Sequence, residues 1–429
     1  MTLSNIKLTP KNYVEVTNQI IHEGIKTGVL HLSHSSSEWQ GKHFHINNQD
    51  LVNLGTCGYL GLETDQRLID GAIDFVQRYG TQFSISRSYV YSEEVKKLEH
   101  KLGKMFDNSN VLIASSTTLM HQCVLPLVIN PETDAVVVDH QAHFSIQSAL
   151  QTLAIRQTNI QKVKHNDMKS LEEKLTKLKE KYERIWYAID GVYSMYGDFA
   201  PIEDLNRLMD KFPELHLYVD DAHGVGWYGK NGTGCAFYQT KNRDRLVLST
   251  TLAKGFGATG GIAVFPNKKH YEQVVTFGGP LSYSHPLAPP ILGAANAACD
   301  IFLSEEIIDM QNQLKEKIEY CNSLLEELVF PIMSNPESPI KNIGIGNPSA
   351  VYELCKRVIN DGYYCTPATF PALPINAGGL RFTINGHITK EEIKGFVETV
   401  KKHYWDVLEL EGVSLNEARA KFDLGAIKV

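Results

Sequence analysis

The chain has 429 residues, 43% of them apolar and 21% charged, a balance typical of globular proteins with a large core. A net charge of −7 excludes a general nucleic-acid binder, and no apolar run reaches the roughly 18 residues of a spanning helix. Seven scattered cysteines without a Cys-x-x-Cys pair read as reduced cytoplasmic thiols, and sixteen histidines without ligand spacing argue against a structural metal.

Met1–Lys7 lacks the charged-then-apolar pattern of a signal peptide. An amphipathic helix is predicted over 11–29, with Val16, Ile20 and Ile21 among its apolar residues and Gly28 at its end. Short alternating pieces around His43–Ile46 suggest a hairpin, and Gly55–Leu62 is a glycine-punctuated turn. Helices are expected over 65–80 and 92–106. Strands and helices then alternate. Strands are read at 110–113, 135–138, 161–164, 185–189, 215–219, 245–248 and 262–265. Helices begin near Ser115, after His143, at Met168 and at Pro201. After Pro289-Pro290 come two long helices, strands near Lys341–Ile345 and Leu380–Ile384, and a last helix from Thr389.

Strands apolar on both faces and separated by helices imply an α/β fold around a parallel sheet covered on both sides. Ligands of such sheets bind beyond the carboxyl ends of the strands. The expected organisation is a large domain over 51–290, a small α+β domain over 291–429, and an N-terminal segment, 1–50, joining the small domain.

The polar clusters follow the strands. Ser249–Gly261 carries Lys254 and four glycines within seven residues. A lysine among small residues can lose its proton and form a Schiff base. Asp220 ends an apolar strand, with His223 three residues on. Ser116, Thr117 and Thr118 open a helix whose free N–H groups suit a phosphate, although an ordinary N-cap needs the same residues. Thr251 could add a hydroxyl. Either His143 or His140 could lie flat over a ring, and spacing does not choose between them. Arg381 offers a guanidinium for a carboxylate. A lysine for an aldehyde, an acid for a ring nitrogen, an anion cup, a flat cover and an arginine are the five requirements of a pyridoxal cofactor.

In this order the residues resemble the α-oxoamine synthase family of pyridoxal-phosphate enzymes. The resemblance covers about residues 50–400. It rests on Tyr59-Leu-Gly-Leu62, His165-Asn-Asp167, Asp190-Gly-Val-Tyr-Ser-Met195, Val219-Asp-Asp-Ala-His-Gly-Val-Gly226, the Lys254 segment and Leu380-Arg381 with His387. It implies fold type I and pyridoxal 5'-phosphate as cofactor, with Lys254 as Schiff-base lysine and catalytic amine. Asp220 would face the ring nitrogen, His223 its hydroxyl and His143 its plane. Ser116 to Thr118 and Thr251 would serve the phosphate, and Ser194 would lie near the ring. Arg381 would bind the amino-acid carboxylate. Ser284 and His285 match a segment that reaches the partner subunit's phosphate, so a homodimer with shared active sites is implied.

The implied reaction joins an amino acid to an acyl thioester, of coenzyme A or an acyl carrier, with loss of carbon dioxide. An aminotransferase or lyase acting on a small amino acid is the alternative on the same residues. Four departures from the family pattern stand out. Cys57 replaces a usual Asn that contacts the substrate carboxylate. The glycine-rich loop reads Gly80-Thr-Gln-Phe-Ser-Ile-Ser-Arg87, where Phe83 and Ile85 would narrow the acyl entry or tighten the dimer contact. Tyr196 stands in Ser194-Met-Tyr-Gly-Asp198, and Ser116-Thr-Thr118 replaces a Ser-Gly-aromatic turn. The first two lie where substrates are chosen, so the donor and the acyl chain stay open.

Overall fold

The computed structural model describes residues 12–422 and Leu424. The expectation for Met1–Lys7 lies outside the described residues. The chain divides into two compact units. The first is 1–59, 194–198 and 312–429; the second is 60–193 and 199–311.

The first unit opens with α1 (Tyr13–Thr27), which stops at Gly28 in a left-handed conformation, φ 79°. Strands β1 (His43–Ile46) and β2 (Gln49–Asn53) form an antiparallel hairpin.

The second unit begins with α2 (Gln66–Tyr79), capped by Asp65, whose side chain accepts from Arg67 N at 2.9 Å. Helix α3 (Glu93–Met105) follows, with Glu93 and Glu94 in its first turn. Then come β3 (Asn110–Ala114), α4 (Thr117–Val128), β4 (Asp134–Asp139), α5 (Phe144–Ile155), β5 (Asn159–Val163), α6 (Met168–Leu178), β6 (Arg184–Asp190), α7 (Ile202–Lys211), β7 (Leu215–Asp220), α8 (Cys235–Gln239), β8 (Leu246–Thr251) and β9 (Gly261–Phe265). Helices α9 (Lys268–Phe277), α10 (Gly279–Tyr283) and α11 (Pro289–Phe302) complete it.

The seven strands of this unit run in the order β3-β9-β8-β7-β6-β4-β5. Neighbours from β8 to β5 are parallel, whereas β9 is antiparallel to both β3 and β8. The link from Leu252 to Gly260 has no crossover helix, so the chain can only return beside β8 in the opposite direction. Strands β4, β7 and β8 supply Val136, Tyr218 and Val247 to a core that takes Val124 from α4 and Ile146 from α5.

Helix α11 belongs to this unit, so the boundary falls at 311/312 rather than at the expected 290. Its Gly293 lies so close to Gly71 of α2 that a Cβ on either would collide with the other's backbone carbonyl. The two helices therefore pack at backbone contact.

Helix α12 (Glu306–Glu326) contains the dividing point. The first unit then resumes with β10 (Ile340–Gly346), α13 (Pro348–Asn360), β11 (Tyr363–Tyr364), β12 (Thr366–Ala368), β13 (Gly378–Thr383), α14 (Lys390–Leu410) and α15 (Leu415–Ala420). Strand β13 lies between β10 and β12, and β11 joins β2 in parallel.

Candidate active site

Parallel strands place their carboxyl ends on one edge. There Asp190 ends β6, Asp220 ends β7, His143 follows β4 and Lys254 follows β8. These four, with Thr117, Thr118, Ser145, Val192, Ala222, His223 and Thr251, line a cavity of about 80 Å³ in the second unit.

Lys254 sits at φ 52°, a left-handed backbone that non-glycine residues seldom adopt. Such strain persists where surrounding structure enforces it, and it gathers at functional sites. Gly257, at φ 83°, closes the short helical turn that Lys254 opens. Thr251 Oγ1 accepts from Ala253 N and donates to Gly260 O, both at 3.0 Å, which ties down the segment on either side of the lysine.

Asp220 is 5% exposed. Its Oδ1 accepts from Ala222 N at 3.0 Å and its Oδ2 from His121 Nε2 at 2.8 Å. Burial alone would raise its pKa. The charge of His121, its hydrogen bond, and the charges of His143 and Lys254 outweigh burial and hold the carboxyl at about 2. Asp190 is the opposite case. Burial and the adjacent Asp220 push it well above the carboxylate range, against the pull of His143 N–H and Lys254. The two acids therefore differ in charge although their strands lie side by side.

His143 caps α5 and lines the cavity with a largely exposed side chain. Its backbone N–H donates to Asp190 Oδ1 at 2.9 Å and its Nδ1 lies 2.6 Å from Ser145 Oγ. Partial desolvation, Lys254 and His121 lower its pKa against the pull of Asp220, so the imidazole favours its neutral form. His140 is exposed and does not line the cavity, whereas His143 does.

The helix-opening residues divide. Ser116 is the N-cap of α4, accepting from Leu119 N at 3.2 Å, and it does not line the cavity. Thr117 and Thr118 do. A Cβ on Gly261 would collide with the Ser116 carbonyl and Thr117 nitrogen, so the α4 N-terminus comes as close to β9 as backbone allows.

In the first unit, Arg381 on β13 is 5% exposed. Its Nε donates to Ser194 O at 2.6 Å and its Nη2 lies 3.6 Å from Cys57 Sγ. Thus Arg381, Ser194 and Cys57 form one cluster, joined by Tyr59, which hydrogen-bonds Cys57. Ser284 and His285 follow α10 and do not line the lysine cavity of their own chain; His285 instead borders a hollow with Arg87 and Tyr91.

The sequence alone assigns no role to His121 or Asp190. Asp190 lies in a quoted motif and could have been found as a strand-end acid. His121 sits within the apolar run Leu119–Val128, where a histidine reads as core.

The cavity combines a buried anion, an amine, an uncharged imidazole face and a helix N-terminus. That set fits a ligand with a protonated ring nitrogen, an aldehyde and a phosphate, as pyridoxal 5'-phosphate has.

A model of the aminotransferase class I and II family matches residues 49–400. The chain is 28% identical to 8-amino-7-oxononanoate synthase of Alkaliphilus oremlandii over 358 residues, 83% of this chain and 88% of that protein. It is 27% identical to serine palmitoyltransferase of Bacteriovorax stolpii over 354 residues, 82% of each. Its fold matches that of a serine palmitoyltransferase from S. paucimobilis with bound PLP and myriocin. The TM-score is 0.81 at 20% identity, over 95% of this chain and all of that one.

Proposed function

We propose, on the premise that the chain belongs to the aminotransferase class I and II family and to the α-oxoamine synthases within it, that the Lys254 cavity is where an amino acid and an acyl thioester are joined. The chain is a pyridoxal-phosphate-dependent C-acyltransferase of fold type I, and its reaction releases carbon dioxide. The observation that carries the site assignment is the grouping of Lys254 with the hydrogen-bonded anion of Asp220 in one cavity.

Bound there, pyridoxal 5'-phosphate supplies an electron sink for the charge left when the α-proton departs. Lys254 would hold the aldehyde, and its Nζ, when free, would be the base for the α-proton. Asp220 would supply the negative charge for the ring nitrogen. His143 would cover the ring with a neutral face, which adds no positive charge beside Lys254. His223 is assigned to the ring hydroxyl, and Thr117, Thr118 and Thr251 to the phosphate. Ser116 acts through the helix it caps.

Arg381 is the residue proposed for the donor carboxylate. A buried planar guanidinium, fixed at Nε by Ser194 O, supports this. Cys57, on Nη2 of the same guanidinium, is proposed to select the donor.

A homodimer is proposed as the working state. Tyr89 (90% exposed) and Tyr283 (94%) flank a surface with Val90, and hydrogen bonds of Ser86 and Ser88 with Ser282 tie its two segments together. A second copy would cover these rings and bring in Ser284 and His285. A cytoplasmic location is proposed from the seven cysteines, all free thiols. Among the described residues no helix is long and apolar enough to cross a membrane.

The test is borohydride reduction of the cofactor-loaded protein, then peptide mass spectrometry and an assay of amino acids against acyl-CoAs. The expected result is cofactor mass on the Lys254 peptide, with thiol and carbon dioxide released in step. Keto acid without thiol would instead identify an aminotransferase or lyase.

A further inference from the structure

Asp220 does not hold its position alone. His121, fully buried on α4, reaches across to β7 and touches two side chains on one face of that strand. Its Nε2 lies 2.8 Å from Asp220 Oδ2 and its Nδ1 lies 2.7 Å from the Tyr218 hydroxyl. The Tyr218 hydroxyl in turn meets Ser249 on β8. A carboxylate only accepts, so Nε2 must carry a proton that it donates to Asp220. The tyrosine on the other nitrogen fixes the ring's orientation and keeps the Nε2–H in place.

We propose that His121 is a positioning residue for Asp220, clamping Oδ2 from the protein side so that the carboxylate presents a fixed anion to the cavity. The proposal rests on the Lys254 cavity being a pyridoxal-phosphate site. The geometry supports it in three ways. Ala222 N–H occupies Oδ1 and His121 occupies Oδ2, so the carboxylate cannot rotate without breaking a bond. His121 lies outside the cavity lining, and its hydrogen bond to the site is to Asp220. The charged and titratable groups facing Asp220 include His121 and Tyr218 on its protein side and Asp221 beside it, with His143, Lys254 and Asp190 around the cavity. Of these, His121 holds the carboxylate by a hydrogen bond of 2.8 Å.

The experiment compares wild type with His121→Leu, His121→Asn and Tyr218→Phe. One measurement is the dissociation constant for pyridoxal 5'-phosphate by equilibrium dialysis. The other is the pH at which the absorption band of the bound cofactor changes. Loss of a charge-assisted hydrogen bond should weaken binding in His121→Leu by about tenfold or more. The absorption change of that variant should also move to lower pH, because a free-swinging carboxylate holds a ring proton less firmly. His121→Asn can donate an N–H from a similar place and should recover affinity to within about threefold of wild type. Tyr218→Phe keeps the imidazole but frees it, and should fall between the two.

Equal affinity and an equal absorption titration in wild type, His121→Leu and Tyr218→Phe would overturn the role. Should His121→Leu fail to fold, His121→Asn and Tyr218→Phe decide by the same two readouts. Wild type that binds no pyridoxal 5'-phosphate sinks the cofactor reading itself, whereas wild type that binds while the variants match it sinks only the clamp.

Discussion

At the scale of single residues, charge separation between neighbouring acids does most to define the site. Asp220 and Asp190 end adjacent strands, yet only Asp220 has an imidazole behind it. Lys254→Ala should abolish turnover while leaving circular dichroism and thermal melting near wild type, since the side chain lines a cavity rather than filling the core. Asp220→Asn should still load cofactor, with affinity lowered at least as far as in His121→Leu, and lose turnover by about 10²-fold or more, because a neutral partner leaves the ring nitrogen unprotonated. Steady-state kcat on reconstituted protein checks both. Asp221 is different again. It accepts from Ala236 N at 2.8 Å and lies against Gly191, Gly224 and Gly234. Burial, with Asp220 beside it, raises its pKa from 3.8 to about 8 against the pull of Ala236 N–H. A raised carboxyl stabilises the fold fully below its unfolded value, and that contribution declines as pH rises through about 8. Wild type should therefore lose thermal stability between pH 6 and 8, roughly the upper part of that window, and Asp221→Asn should show a flatter profile by calorimetry. Lys254, Asp220 and His143 were legible because strand-end polar residues stand out against apolar runs. His121 was not, because nothing local marks a buried histidine whose partner lies 99 residues away.

At the scale of elements, the α4 N-terminus depends on a glycine in another strand. Gly261 begins β9, and any side chain there meets the backbone of Ser116 and Thr117 rather than a flexible neighbour. Gly261→Ala should cost about 1–3 kcal/mol in denaturant unfolding, because backbone cannot move aside without disturbing the β3–β9 pairing. It should also weaken cofactor binding more than an equally destabilising substitution in α6, since Thr117 and Thr118 line the cavity and the residues of α6 do not. Unchanged affinity would remove the α4 N-terminus from the phosphate assignment. The alternation of strands and helices was visible in the sequence, whereas the direction of β9 was not. Its apolar run reads the same either way, and only the missing crossover helix distinguishes antiparallel from parallel. Likewise α11 looked like the start of a new domain after Pro289-Pro290. Its backbone-level contact through Gly71 and Gly293 shows only in three dimensions, since two glycines 222 positions apart carry no joint signal.

At the scale of the whole molecule, the exposed surface of the second unit argues for a partner of the same kind. Tyr89 and Tyr283 leave nearly their full ring area in water, and Val90 is 57% exposed. Isolated apolar residues on a surface need no explanation, but these belong to two segments held together by Ser86, Ser88 and Ser282. The Arg87–Glu99 ion pair at 2.7 Å, with the Tyr91 hydroxyl on the same carboxylate, anchors the first segment to α3. A surface so fixed is already shaped for docking and loses little conformational freedom on association. Sedimentation of wild type should give about twice the 48.1 kDa of one chain. Tyr89→Asp with Tyr283→Asp should shift it to monomer, because two carboxylates would have to be buried without partners. If Ser284 and His285 complete the phosphate site across the interface, the same variant should lose cofactor affinity in parallel with dimer, so that both recover together at high protein concentration. A double variant that stays dimeric would place the interface elsewhere. One that becomes monomeric with undiminished affinity would confine the phosphate site to the residues of a single chain, with Thr117 and Thr118 sufficient for it.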